Sequence, residues 1–117
     1  MTSKTKVSRG EIWLVGFPFT DLSTTKVRPA IIWSVFGEDV IMVGIFSKVP
    51  KRSLPDTWIL VKAGSPEFAK TGLAKTSVIK AEKLALIHSA ILRRKLGSLS
   101  PSLMKEVANA LKKALHL

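Results

Sequence analysis

"PAIIWSVFGEDVIMVGIF", residues 29–46, decides the fold. Two apolar runs, Pro29 to Phe36 and Val40 to Phe46, flank the turn signal Gly37-Glu38-Asp39. Each run is too short for a helix and rich in β-branched and aromatic residues, so the pair predicts a β-hairpin. Proline suits the first position of a strand, where no ladder donor is needed. If Phe36 faces Val40, facing residue numbers sum to 76, with Pro29 opposite Ser47 and Arg28 opposite Lys48. A slip of one or two still gathers Arg28, Ser47 and Lys48 at the open end of the hairpin.

Outward from the hairpin, Glu11 to Phe17 reads as a strand apolar enough to be buried on both faces. Pro18 to Val27 is a polar loop rich in Thr and Ser, of a length that is often functional. Ser47 to Pro55 is a second loop and carries Lys48, Lys51 and Arg52. Trp58 to Val61 is a short strand, and Ser65-Pro66-Glu67-Phe68 predicts one helical turn. Thr76 to Leu84 predicts a strand, with Ile87 to Leu92 a candidate for another. Ser100-Pro101 opens a helix to about Leu115, with Ser100 as cap and Leu99 stapling to Met104. Leu103, Val107, Ala110, Leu111 and Ala114 recur at helical spacing and predict its packing face. The sum is a mostly β chain with helices: a compact antiparallel sheet or small barrel with a C-terminal α-helix. Residues 1–8 read as a flexible basic tail and 9–117 as a single domain.

Charge bounds the function. Nineteen Lys and Arg against eight Asp and Glu give a net charge of +11 in 117 residues. Such an excess attracts polyanions, nucleic acid above all, through counterion release. Solubility or an acidic protein partner are the plainer readings. No apolar run reaches the roughly 18 residues of a membrane span, and no signal peptide is read at the N-terminus. The chain has no cysteine, which excludes disulfides and thiol ligands and agrees with a reducing cytosol. His88 and His116 are the only histidines and lack metal-ligand spacing. No P-loop, GxGxxG or GxSxG motif is present. No cofactor or metal is implied.

Three groups carry candidate chemistry. Arg28 offers a permanent charge and a planar fork that fits phosphate, and Pro29 biases it to extended backbone. A solvated charge or a bridge to Asp21 is the plain alternative. Lys80 and Glu82 are two apart in a predicted strand and so share a face. An acid and a base side by side suit proton transfer, and a surface ion pair is the plain alternative. Trp58 is the more exposed candidate for stacking on bases, while Trp13 and Trp33 lie in apolar strands and read as core.

Taken in order, "RGEIWLVGFPFTD" (9–21), "RPAIIWS" (28–34), "VGIFSK" (43–48), "TGLAKTSVIKAEKL" (71–84) and "GSLS" (97–100) resemble the MazF/PemK toxins. The resemblance covers roughly residues 9 to 115, and the first two motifs are its most specific part. It implies a PemK-like fold, a small SH3-like antiparallel barrel with helices. It also implies a homodimer and a metal-independent endoribonuclease of a type II toxin–antitoxin pair, bound by a small acidic antitoxin. Such toxins cut single-stranded RNA at short motifs, by 2′-OH attack that leaves a 2′,3′-cyclic phosphate. On that resemblance Arg28 is the phosphate-stabilising arginine, Glu82 the base, Lys80 the acid or electrostatic stabiliser, and Ser47 a hydrogen-bond donor to phosphate. Thr20, Lys26, Lys48, Lys51, Arg52 and Trp58 are the expected RNA contacts. Phe46 stands where the family usually has threonine, and Lys80 where the PemK branch has arginine. The first loop has neither the glutamate nor the histidine found in other members. A PemK-like module that binds RNA or an acidic partner without cutting is the competing expectation.

Overall fold

The computed structural model describes residues 6–17 and 26–117. Among the described residues six strands form one sheet: β1 (Glu11–Phe17), β2 (Lys26–Phe36), β3 (Asp39–Phe46), β4 (Trp58–Val61), β5 (Ser77–His88) and β6 (Leu92–Ser98). The described residues also form the single helical turn α1 (Phe68–Thr71) and the long helix α2 (Pro101–Leu115). Strand order is β4-β5-β3-β2-β1-β6. Every pairing is antiparallel.

The hairpin of residues 29–46 is present, with a shifted register. Phe36 pairs with Asp39 and Val35 with Val40, so Gly37 and Glu38 alone make the turn. Gly37 adopts φ 61°, which glycine tolerates and a tight turn requires. A bulge between Ile32 and Ser34 then shifts the count again, to Ala30 opposite Gly44. These two steps aim Arg28 at Phe46 instead of Lys48. β2 also starts earlier than the sequence implies. Its backbone pairs Lys26 with Phe17 and Arg28 with Val15. Arg28 and Pro29 therefore lie within the strand, and its partner β1 is what extends it. The ladder to β3 begins only at Ala30, so the donorless Pro29 sits where β2 has one neighbour fewer.

Two further expectations shift along the chain. The helical turn forms at Phe68–Thr71, three residues beyond Ser65, whose carbonyl accepts from the Phe68 amide at 3.1 Å. β5 runs on to His88 because residues 84–88 continue pairing with β3. A 3-10 turn, Ser89–Ile91, then separates it from β6. His88 is structural there: its Nδ1 accepts from the Ala90 amide at 2.9 Å. His116 ends α2 exposed and in left-handed conformation.

The central strands are buried on both sides. On one, Ile12, Ile31, Val43, Ile45 and Ile79 pack with Leu103, Val107, Ala110 and Leu111 of α2. The helix has the expected start: Ser100 Oγ accepts from the Leu103 amide at 3.2 Å and Pro101 occupies its first turn. Burying each such aliphatic side chain contributes about 1.5–3 kcal/mol. On the other side, Trp13, Val15, Ala30, Ile32, Val40 and Met42 form a second cluster, and Val7 packs against it. The strand pairings leave the curled sheet open between β4 and β6. The segment around α1 bridges that gap. Gly97 on β6 lies against the Lys70 carbonyl, and Gly72 lies against the Leu96 carbonyl, where a Cβ would collide with backbone.

Candidate active site

β5 supplies the site through an irregularity. Val43 pairs with Leu84, but Gly44 pairs with Lys80, so residues 81–83 have no partner on β3. The Ala81 amide turns instead to the Thr57 carbonyl, at 2.9 Å. This bulge bends β5 and lets its first half pair with β4, with Lys80 opposite Trp58. Bulges commonly re-aim side chains beside functional sites. Here it carries Glu82 out of the ladder to the edge of a groove.

The groove, about 240 Å³, is lined by Arg28, Pro29, Gly44, Phe46, Glu82 and Lys83, among others. Phe46 is its floor. The ring leans back over Gly44, a position where a Cβ would meet the ring at 2.9 Å. Two cations flank it. The Arg28 guanidinium carbon is 5.5 Å from the Phe46 ring centre, and Lys80 Nζ is 4.6 Å from it. Lys80 Nζ also lies 4.3 Å from the Trp58 ring, so the ammonium sits between two aromatic faces. Each contact of this kind contributes about 0.5–2 kcal/mol, most where water is excluded.

Glu82 completes the group. Its Oε2 accepts from Trp58 Nε1 at 2.6 Å and its Oε1 from Thr57 Oγ1 at 2.9 Å. Partial burial works to raise its pKa. The indole, its own backbone amide, the Thr57 hydroxyl and the Lys80 charge together outweigh burial and hold the carboxyl below its ordinary value of 4.5. Glu82 is therefore ionised throughout the neutral range. A carboxylate and a guanidinium lining the groove, with the Lys80 ammonium over its Phe46 ring, can accept a proton, stabilise an anion and donate a proton.

Three of the expected catalytic residues, Arg28, Lys80 and Glu82, thus come together. Ser47 follows β3 directly and is exposed, one residue beyond Phe46. Lys48, Lys51 and Arg52 belong to the loop after β3, and all three are exposed. The Lys26 backbone lies in β2, and Thr20 lies outside the described residues. The sequence reading missed Phe46 as part of the site, treating it only as a departure, and missed Thr57 altogether. Neither has a spacing signal: both enter through the shifted hairpin register and the bulge at 81–83. Among the described residues no group of three or more His, Asp or Glu side chains is placed to hold a metal ion.

The fold is shared with solved bacterial endoribonucleases and a MazF protein. An endoribonuclease in complex with its cognate antitoxin, from a mycobacterial species, matches with TM-score 0.73 and 20% identity, over 96% of this chain and 97% of that one. A second mycobacterial endoribonuclease matches with TM-score 0.68 and 23% identity, over 93% and 90%. MazF from Deinococcus radiodurans matches with TM-score 0.70 and 16% identity, over 98% and 100%. No curated protein matches the chain in sequence. The family model for PemK-like, MazF-like toxins of type II toxin–antitoxin systems matches residues 8–115. The chain belongs to that family.

Proposed function

We propose that the protein is an endoribonuclease toxin that cuts single-stranded RNA without a metal ion. The observation that carries this reading is the grouping of Arg28, Lys80 and Glu82 around the Phe46 floor. In the reaction the ribose 2′-oxygen attacks the adjacent phosphorus and the bond to the 5′-oxygen breaks. Glu82 takes the 2′-OH proton, and Lys80 supplies a proton to the departing 5′-oxygen. Arg28 stabilises the charge that builds on the non-bridging oxygens. The products are a 2′,3′-cyclic phosphate and a 5′-OH. Two side-chain cations supply the positive charge that a metal provides elsewhere. Ser47 donates a hydrogen bond to the phosphate. Thr20, Lys26, Lys48, Lys51 and Arg52 track the flanking backbone, where each phosphate contact steepens the salt dependence of binding.

The fold relatives include toxins solved with antitoxins. The partner expected here is a small acidic antitoxin, complementary to a chain of net charge +11. The protein works as a homodimer in the cytoplasm. No helix among the described residues is long and apolar enough to cross a membrane.

Incubation of purified, antitoxin-free protein with a long mixed-sequence RNA in EDTA tests the reading. Discrete cuts ending in cyclic phosphate are expected. A second reading, a silent RNA- or partner-binding module, is favoured by one feature: both Glu82 oxygens are already engaged. RNA that is bound yet keeps its ends after long incubation would establish that reading instead.

A further inference from the structure

Trp58 offers an aromatic ring beside a basic groove, which by itself suits stacking on an RNA base. Its surroundings give it other work. One ring face is taken by the Lys80 ammonium, 4.3 Å from the ring centre. Its edge is taken by Glu82, through a 2.6 Å hydrogen bond from Nε1. A single rigid side chain therefore holds both members of the acid–base pair. The β3 ladder does not fix Glu82 against Lys80, because residues 81–83 are released from it.

The support for Trp58 is itself fixed. Its amide donates to the Pro55 carbonyl at 3.1 Å. The adjacent Thr57 binds the same segment twice: its carbonyl accepts from Ala81 and its hydroxyl donates to the Glu82 carboxylate. β4 then pairs with β5 from Trp58 opposite Lys80 to Val61 opposite Ser77. An indole has two rotatable bonds and little entropy to lose, so it makes a good brace. Lys80, by contrast, is a flexible four-carbon stem with no planar fork. A second ring, Phe46, closes the other side of its ammonium at 4.6 Å.

We infer that Trp58 is the positioning residue of the site: its N–H aims the Glu82 carboxylate and its ring face, with Phe46, holds the Lys80 ammonium. The inference rests on the proposed nuclease reading for its kinetic consequences, and on geometry alone for its structural ones. It explains how lysine can stand where a forked arginine would otherwise orient itself. The two rings supply from outside the rigidity that the lysine side chain lacks. It also links the two groups, since any rotation of the indole displaces both partners.

Trp58→Phe separates bracing from stacking, because phenylalanine keeps a ring and loses the N–H. For RNA cleavage we expect kcat to fall about tenfold with KM within about twofold, the loss of one hydrogen bond to a charged group. The acidic limb of the kcat–pH profile should move to higher pH, since Glu82 loses the donor that most favours its ionised form. Trp58→Ala, which also frees Lys80, should lose about a further tenfold. Circular dichroism establishes that both variants are folded. If Trp58→Phe keeps the wild-type kcat and acidic limb while Trp58→Ala only raises KM, the ring stacks on RNA and the inference is wrong.

An arm without RNA keeps the test independent of the nuclease reading. The Trp58 indole N–H resonance of the wild type, followed by NMR during acidification, should shift as Glu82 takes up its proton. Glu82→Gln should abolish that titration. A Trp58 resonance indifferent both to acid and to Glu82→Gln overturns the inference, whether or not the protein cuts RNA. A protein that cuts no RNA but shows the coupled titration refutes the nuclease reading and leaves Trp58 as the brace.

Discussion

Two carboxylates of this small protein are pinned in similar ways and serve different ends. Glu67, just ahead of α1, accepts from the hydroxyls of Ser100, at 2.9 Å, and Ser102. Both serines belong to the start of α2, so Glu67 ties the segment that bridges the open sheet to the helix that covers its core. Glu82 likewise accepts from an indole and a hydroxyl. Both groups have pKa values below the ordinary 4.5, Glu67 through Ser102 first and Ser100 second, Glu82 because its donors and Lys80 outweigh partial burial. The difference lies in what stands next to them. Glu67 meets neutral hydroxyls at a helix N-terminus, where negative charge is favoured. Glu82 meets an ammonium and opens on a groove that Arg28 also lines. On the proposed function, a pinned carboxylate is a fastener in one setting and a general base in the other, and its neighbours decide which.

That contrast can be broken by substitution. The largest effect is expected for Glu82→Gln, which keeps the shape and the Thr57 contact but removes the base. Its cleavage rate should fall about 10²–10⁴-fold in single-turnover assays with little change in melting temperature. Lys80→Ala should follow at about 10²-fold, and Lys80→Arg should recover part of the loss by restoring a cation on the Phe46 floor. Gly97→Ala acts on the other region. Its new methyl meets the Lys70 carbonyl, so stability should drop by about 1–3 kcal/mol in urea titration while the groove residues stay intact. Glu67→Gln should have the smallest effect, a lowered melting temperature with unaltered cleavage chemistry.

The sign of the pH effect follows from the lowered pKa of Glu67. A group more acidic in the folded than in the unfolded chain adds stability above its unfolded pKa, and that addition is lost as pH falls through the folded value. Melting temperature should therefore decline as pH drops below about 4.5 in the wild type, and Glu67→Gln should flatten that decline. A variant that melts with the same acid dependence as the wild type would remove Glu67 as the fastener.

Much of this architecture is legible in the chain because it rests on local patterns. The hairpin follows from two apolar runs around Gly37-Glu38-Asp39, and α2 from Ser100, Pro101 and the spacing of Leu103, Val107, Ala110 and Leu111. Arg28, Lys80 and Glu82 emerge from motif and spacing. What could not be read is what depends on ladder irregularities. The tighter turn and the bulge after Ile32 together replace Lys48 by Phe46 beside Arg28. The bulge at residues 81–83 brings Thr57 and Trp58 to Glu82 from 24 or 25 residues away. A strand pattern fixes which face a residue takes, but a bulge changes that count without leaving a sequence mark. The bridging role of α1 is also non-local, since it depends on glycines 72 and 97 meeting across the open sheet.

On the proposed mechanism this site stabilises a pentacoordinate phosphate with side-chain cations alone. Single-turnover cleavage of a defined single-stranded RNA in EDTA, wild type beside Arg28→Ala, tests it most directly. Cuts by the wild type are expected, with a rate at least about 10²–10³-fold lower for the variant and RNA still bound. Equal rates for the two proteins, or cuts that appear only when a divalent metal is supplied, would contradict it.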